Sequence, residues 1–329
     1  MKFMADIDIK KLQRPVSYHD KILLTGSCFT EHIGNALEAS KFSVLQNPHG
    51  ILFDPASVCK SLISYIENRQ YSEADLFQLN EVWNSWQHHS RFSHINANEA
   101  IRIINESQQR AHQFLKDASW IIITLGSSFS YRLVNETGSE KASVANCHRA
   151  PAQWFNKHLM GIDETISLLD NCYHRLLQFN PRLNIIFTVS PVRHLRDGVV
   201  DNNRSKARLL EAVHHMVGKF DKLYYFPAYE LVIDVLRDYR FYDIDLAHPN
   251  YLATEFVLEK FSEACIEESS LQLMQELKKI AIAKNHRAFQ PATNAHRQFL
   301  QSYLEKVKSL QEQYPFLDLK EEISYFSQV

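Results

Sequence analysis

Two short segments of this chain carry residue types that could perform acyl-transfer chemistry together. The first is Thr25-Gly26-Ser27-Cys28-Phe29. The apolar run Ile22 to Thr25 reads as a strand and helical periodicity starts at about Thr30. Ser27 is therefore expected at the C-terminal end of a strand and at a helix N-terminus. In open α/β sheets that crevice is where ligands bind, and a helix N-terminus offers unpaired N–H groups to developing negative charge. The bland alternative is a turn in which Ser27 merely caps the helix. The second segment is Asp245-Leu246-Ala247-His248. A carboxylate three residues before a histidine can accept the imidazole Nδ1–H and leave Nε2 free as a base. Alone, the same pattern is more often a capping carboxylate beside a surface histidine. The two weak signals support each other, because a doubly wound sheet could bring all three residues to one edge.

The elements that would do so are legible. Apolar runs at Ile22 to Thr25, Trp120 to Leu125, Asn184 to Val189 and Leu223 to Phe226 read as strands buried on both faces, with a weaker one at Phe42 to Gln46. Helical patterns lie between them: Glu31 to Ala39, Pro55 to Asn68, Asn98 to Lys116, Gly161 to Gln178 and Ser205 to Lys219. Pro249 is preset for the first turn of another helix, from Tyr251 to Ile266. Alternation of this kind predicts a three-layer α/β/α sandwich on a five-stranded parallel sheet in the flavodoxin-like order 2-1-3-4-5. From about Leu271 the pattern changes. Leu273, Met274, Leu277 and Ile280 repeat at helical spacing, as do Phe299, Tyr303, Val307 and Leu310, with a break at Gln290 to Thr293. The division expected is a main domain over 1–270 and a helical extension over 271–329, a hairpin packed on the main domain or on a second copy of the chain.

Gly26-Ser27-Cys28-Phe29-Thr30 resembles the motif that names the GSCFA family. Further matches follow in order: Asn47-Pro48-His49-Gly50-Ile51, Thr124-Leu125-Gly126, Ala145-Asn146-Cys147-His148, Ser190-Pro191-Val192-Arg193-His194, Arg237-Asp238-Tyr239-Arg240 and Asp245-Leu246-Ala247-His248-Pro249. That family is in turn similar to the SGNH, or GDSL-like, hydrolases. The resemblance implies that Ser27 is the nucleophile, that Asp245 and His248 complete the triad, and that the Gly50 N–H joins that of Ser27 in an oxyanion hole. It departs at the third block, where SGNH enzymes have an asparagine that donates to the oxyanion and this chain reads Gly126-Ser127-Ser128-Phe129. Loss of one such donor typically costs ~10²–10³ in rate. Ser128 and Asn146 are the candidate substitutes.

Other residues weigh less. Cys28 could be a thiolate at a helix N-terminus, although a small buried hydrophobe is the simpler reading. His32 reads as a helix-surface residue. Cys28, His32, Cys147 and His148 lack metal-ligand spacing, so no metal is expected. His88, His89 and Arg91 form an aromatic and basic cluster that is either a substrate wall or a packed excursion. Arg193 could bind an anionic substrate group or hold the Asp245 loop by a salt bridge. The α/β-hydrolase elbow, phosphate loop and dinucleotide fingerprint are absent, so no cofactor is implied.

Composition narrows the class. Among 329 residues, 36 Lys and Arg balance 38 Asp and Glu for a net charge of −2, which argues against a nucleic-acid partner. Apolar runs are too short to span a membrane and the first residues do not read as a signal peptide. Five cysteines without a CxxC pair suit reduced thiols. The expectation is a cytoplasmic serine hydrolase, or an acyltransferase of the same fold, acting on a small acylated metabolite or glycan. A chain that kept the fold as a binding or scaffold protein is the competing class, and the C-terminal helices could support a homo-oligomer.

Overall fold

The computed structural model describes residues 5–134, 140–286 and 289–328. Its strands are β1 (Lys21–Gly26), β2 (Ser43–Gln46), β3 (Phe77–Leu79), β4 (Val82–Asn84), β5 (Trp120–Leu125), β6 (Phe129–Val134), β7 (Glu140–Val144), β8 (Phe155–Leu159), β9 (Asn184–Val189) and β10 (Leu223–Tyr225). The main helices are α1 (Phe29–Ala39), α2 (Pro55–Glu67), α3 (Ala97–Asp117), α4 (Ile162–Phe179) and α5 (Val199–Lys219), then the short α6 (Ala228–Glu230) running into a π-helical turn over Leu231–Leu236. Four more close the chain: α7 (Tyr251–Cys265), α8 (Glu268–Asn285), α9 (Asn294–Gln313) and α10 (Lys320–Phe326).

The central sheet is parallel throughout, in the order β10-β9-β5-β1-β2. This is the 2-1-3-4-5 order that the five apolar runs predict. Burial on both faces explains why they read as unbroken apolar segments. Along β5, Trp120 and Ile122 enter the core beneath α1 and α7, while Ile121, Ile123 and Leu125 enter the core shared with α2, α3, α4 and α5. Caps set several helix starts. Asp54 accepts from the Ser57 N–H with Pro55 in the first turn, and Asn250 accepts from the Ala253 N–H. Asn250, rather than Pro249, is thus the residue that starts α7.

Four expectations need correction. Two small antiparallel sheets, β3 with β4 and β6 with β7 and β8, interrupt the α/β alternation. Their strands are short and half-exposed, so no continuous apolar run marks them. Helix α5 begins at Val199 rather than at Ser205, because Gly198 at φ 80° turns the chain into it early. The extension holds three helices rather than two, and α8 starts before the expected boundary at 271. In α9 the buried residues are Leu300, Leu304, Val307 and Leu310, with Phe299 and Tyr303 packed only partly at the edge.

The extension is covered by its own chain. Leu273, Leu277 and Ile280 of α8 share one continuous core with Ile22, Leu24 and Phe261 of the main domain. Among the described residues no helix is long and apolar enough to cross a membrane. Leu277 is 4% exposed, so Leu277→Ala should cost about 2–5 kcal/mol. Urea unfolding would read this as a lower midpoint; an unchanged midpoint would show that the extension contributes nothing to the core.

Candidate functional site

Ser27 leaves β1 through a turn that only glycine permits at position 26. Gly26 has φ 141°, and a Cβ there would lie 2.1 Å from the Thr124 carbonyl oxygen. The Gly26 N–H donates to the buried Asn47 Oδ1 at 3.0 Å, and its carbonyl accepts from the Leu52 N–H at 2.9 Å. Ser27 is 1% exposed, and its hydroxyl makes no hydrogen bond with the described residues. Its backbone N–H donates to the Thr124 carbonyl at 3.0 Å. In this structure that amide is engaged within the sheet edge.

Asp245 and His248 form an oriented pair. Asp245 Oδ2 lies 2.6 Å from His248 Nδ1, and a carboxylate can only accept, so Nδ1 bears a proton and, in the neutral imidazole, Nε2 presents the lone pair. Asp245 Oδ1 also accepts from the Ala247 and His248 backbone N–H groups at 2.9 and 3.0 Å. These bonds and the imidazole hold its carboxyl down at about 2. The loop is fastened beside the end of β9, where the Arg193 N–H donates to the Ala247 carbonyl at 3.1 Å. Because β9 runs parallel to β5 and β1, the C-terminal end of β9 and the loop fastened there lie at the same sheet edge as Ser27. The third contact of a triad is not made: no bond joins His248 Nε2 to Ser27 Oγ, and both loop side chains remain half-exposed while Ser27 is buried.

The expected oxyanion donors are engaged elsewhere. The Gly50 N–H donates to the Asn47 carbonyl at 2.7 Å, closing the turn Asn47-Pro48-His49-Gly50. Gly50 itself is required, since at φ 81° a Cβ would meet the His89 Cβ at 2.1 Å. Ser128 is fully buried; its Oγ donates to the Ser205 carbonyl at 3.1 Å and its N–H to Ser205 Oγ at 2.7 Å. It braces α5 against the turn after β5. Asn146 Oδ1 accepts from the His148 N–H at 2.8 Å, in a loop pinned to Trp86 by the Ala145 N–H at 2.7 Å. The Ser128 hydroxyl is committed to α5, whereas the bond at Asn146 uses its side-chain oxygen and not the amide N–H that an oxyanion would need. Arg193 holds the Asp245 loop by a different bond from the salt bridge expected. Its guanidinium donates to the Leu246 carbonyl at 3.4 Å and stacks over Tyr242 at 4.2 Å.

The aromatic excursion is a packed back wall for the Gly50 turn. The His89 N–H donates to the His49 carbonyl at 2.9 Å, Arg91 donates to the Asn47 carbonyl, and the His49 and His88 rings lie 4.1 Å apart. His49 Nε2–H donates to Gln108 at 3.1 Å. Burial and the nearby Glu31 push the Cys28 thiol up, so it is not a thiolate nucleophile. Cys147 is likewise pushed up to about 11 by burial. Among the described residues, no three His, Cys, Asp or Glu side chains converge as a metal site.

The GSCFA family model matches residues 21–261, and a second, for the GSCFA domain protein C-terminal domain, matches 277–328. The chain belongs to the GSCFA family. The comparison with curated proteins gives no match. The two family segments coincide with the α/β unit and with the helical extension, whose packing closes one core.

Lys206 is the site residue that motif reading misses. It is 1% exposed, and its Nζ donates to the Gly126 and Ser190 carbonyls at 2.6 Å each, at the ends of β5 and β9. A signal existed: position 206 falls on the helical stripe of Leu209, Val213 and Met216, where a lysine is out of place unless it has buried acceptors.

Burial keeps several histidines near the site neutral. His49 and His194 are both held down at about 4, and His88 well below its ordinary value. The unfolded chain protonates these groups near pH 6.5 and the folded chain at lower pH, about 4 for His49 and His194, so acid in that window favours unfolding. For one fully buried site such as His49 the loss is on the order of 3 kcal/mol. The urea midpoint should fall on acidification from about pH 7 to about pH 4.5; a midpoint flat across that range would mean the histidines are not buried as described.

Proposed function

We propose that this GSCFA-family chain is a serine-dependent acyl-ester hydrolase, with Ser27 as nucleophile, His248 as general base and Asp245 as the group that fixes the imidazole tautomer. The observation that carries this reading is the 2.6 Å Asp245–His248 contact on the sheet edge where Ser27 ends β1. The resemblance to SGNH hydrolases supports the same three roles in the same chain order. In the reaction, Ser27 Oγ bonds the acyl carbon while its proton passes to His248 Nε2. Collapse of the tetrahedral intermediate expels the alcohol, which takes that proton, and water repeats both steps on the acyl-enzyme. This chemistry needs no cofactor. The substrate class is a small acylated metabolite or glycan fragment, and an acceptor hydroxyl in place of water would make the same intermediate an acyltransferase.

For Ser27 to lose its proton to His248, the imidazole Nε2 and the buried Ser27 hydroxyl have to come within hydrogen-bond reach, which they are not in this structure. A binding or scaffold role is the second reading, favoured by the engaged amides of Ser27 and Gly50.

Hydrolysis of p-nitrophenyl acetate, together with covalent labelling by a fluorophosphonate, separates the two. Ser27→Ala should abolish both, and His248→Ala should lose nearly as much rate as Ser27→Ala because triad members act as a unit. A residual rate independent of Ser27, with no labelling of wild type, would favour the binding role. Added sugar or alcohol that accelerates acyl loss would identify transfer.

A further inference from the structure

Lys206 is a fully buried amine with no carboxylate partner among the described residues. Burying an unpaired ammonium costs several kcal/mol, and a leucine would continue the α5 stripe without that penalty. Two of its N–H groups are accounted for by the Gly126 and Ser190 carbonyls, and an ammonium has a third. Gly126, whose carbonyl accepts from Lys206, also lies beside Ser27: a Cβ on Gly126 would lie 3.2 Å from the Ser27 Cβ. The titratable groups that face Lys206 are Cys28, from the turn between β1 and α1, and His194, from the loop after β9. His194 in turn faces His248, Asp197 and Lys157. Burial keeps the Cys28 thiol and the His194 imidazole uncharged at neutral pH, so of these three groups the amine is the one that can carry charge there.

We propose that Lys206, as an ammonium ion, is a positioning residue of the Ser27 site, locking the ends of β5 and β9 and holding the positive charge against which the tetrahedral oxyanion forms. The proposal rests on the hydrolase reading. It accounts for a site in which the Ser27 and Gly50 amides and the Ser128 hydroxyl are all committed to the protein. In a dry sheet edge, one fixed charge stabilises a developing anion far more than it would in water. Burial pulls the amine down to about 7, so the charge is lost as pH rises through that value.

The test is kcat and KM for p-nitrophenyl acetate across pH in wild type, Lys206→Met and Lys206→Arg. Lys206→Met should lower kcat by about 10²-fold with KM little changed. The wild-type rate should decline as pH rises through about 7, and Lys206→Met should lack that decline. Lys206→Arg, whose charge does not titrate, should recover part of the rate without the decline. A Lys206→Met enzyme with wild-type kcat, or one that keeps the alkaline decline, overturns this inference alone. If Lys206→Met does not fold, the wild-type profile decides, and a rate that stays level above about pH 7 overturns the role of the charge. Wild type with no Ser27-dependent turnover overturns the hydrolase reading, and this inference with it.

Discussion

How the chain leaves β1 is the constraint on which the whole sheet edge depends. Within two residues, Gly26 and Ser27 make backbone bonds to Asn47, Leu52 and Thr124, joining β1 to β5 and to the loop after β2. A side chain at position 26 would strike the Thr124 carbonyl, so the fastening exists only with glycine. Ser27 is thereby held with very little freedom, below the surface. The aromatic excursion adds to this fastening: Arg91 gives the Asn47 carbonyl a second donor, and the His89 N–H meets the His49 carbonyl. At Ser27 the backbone amide is therefore committed to holding the sheet edge together.

Helix α5 performs the matching task on the other half of the edge. Its first turns are polar and its later turns apolar. Asn202 Oδ1 accepts from the His194 N–H at 2.9 Å, Ser205 braces Ser128, Lys206 spans Gly126 and Ser190, and Arg208 donates to the Leu159 and Met160 carbonyls at 2.8 Å. Leu209, Val213 and Met216 then carry the helix into the core. One helix therefore satisfies the loose backbone ends of β5, β8 and β9 before it packs.

These features differ in how far the sequence displays them. The five central strands are legible because burial on both faces turns each into a continuous apolar run, as in Trp120 to Leu125. Strands β6 to β8 are not, because residues such as Tyr131 and Arg132 face solvent in part and their pairing is set by contacts distant in sequence. The Asp245–His248 pair is legible because both partners lie within one turn. The fate of the Gly50 and Ser27 amides is not, because a backbone donor carries no mark of its acceptor in the residue types. Lys206 stands between these cases: its place on an apolar stripe was visible, while its acceptors, the Gly126 and Ser190 carbonyls, come from strands that only the folded sheet brings together.

The site thus has a fixed half and an exposed half. Ser27 lies buried in the sheet edge, whereas Ile244 is fully exposed and Leu246 takes a left-handed φ of 58° in the loop that carries the base. A leucine in that conformation is strained, and the Asp243 carbonyl holds it by accepting the Leu246 N–H at 2.9 Å. The Asp245–His248 contact is internal to this loop, three residues apart and reinforced by two backbone N–H groups on the same carboxylate. The imidazole and its carboxylate are thus held as one unit within the loop. Arg193 grips the loop at its Leu246 and Ala247 carbonyls, leaving the imidazole edge free. The imidazole is therefore oriented by its own loop, independently of the sheet edge that holds Ser27.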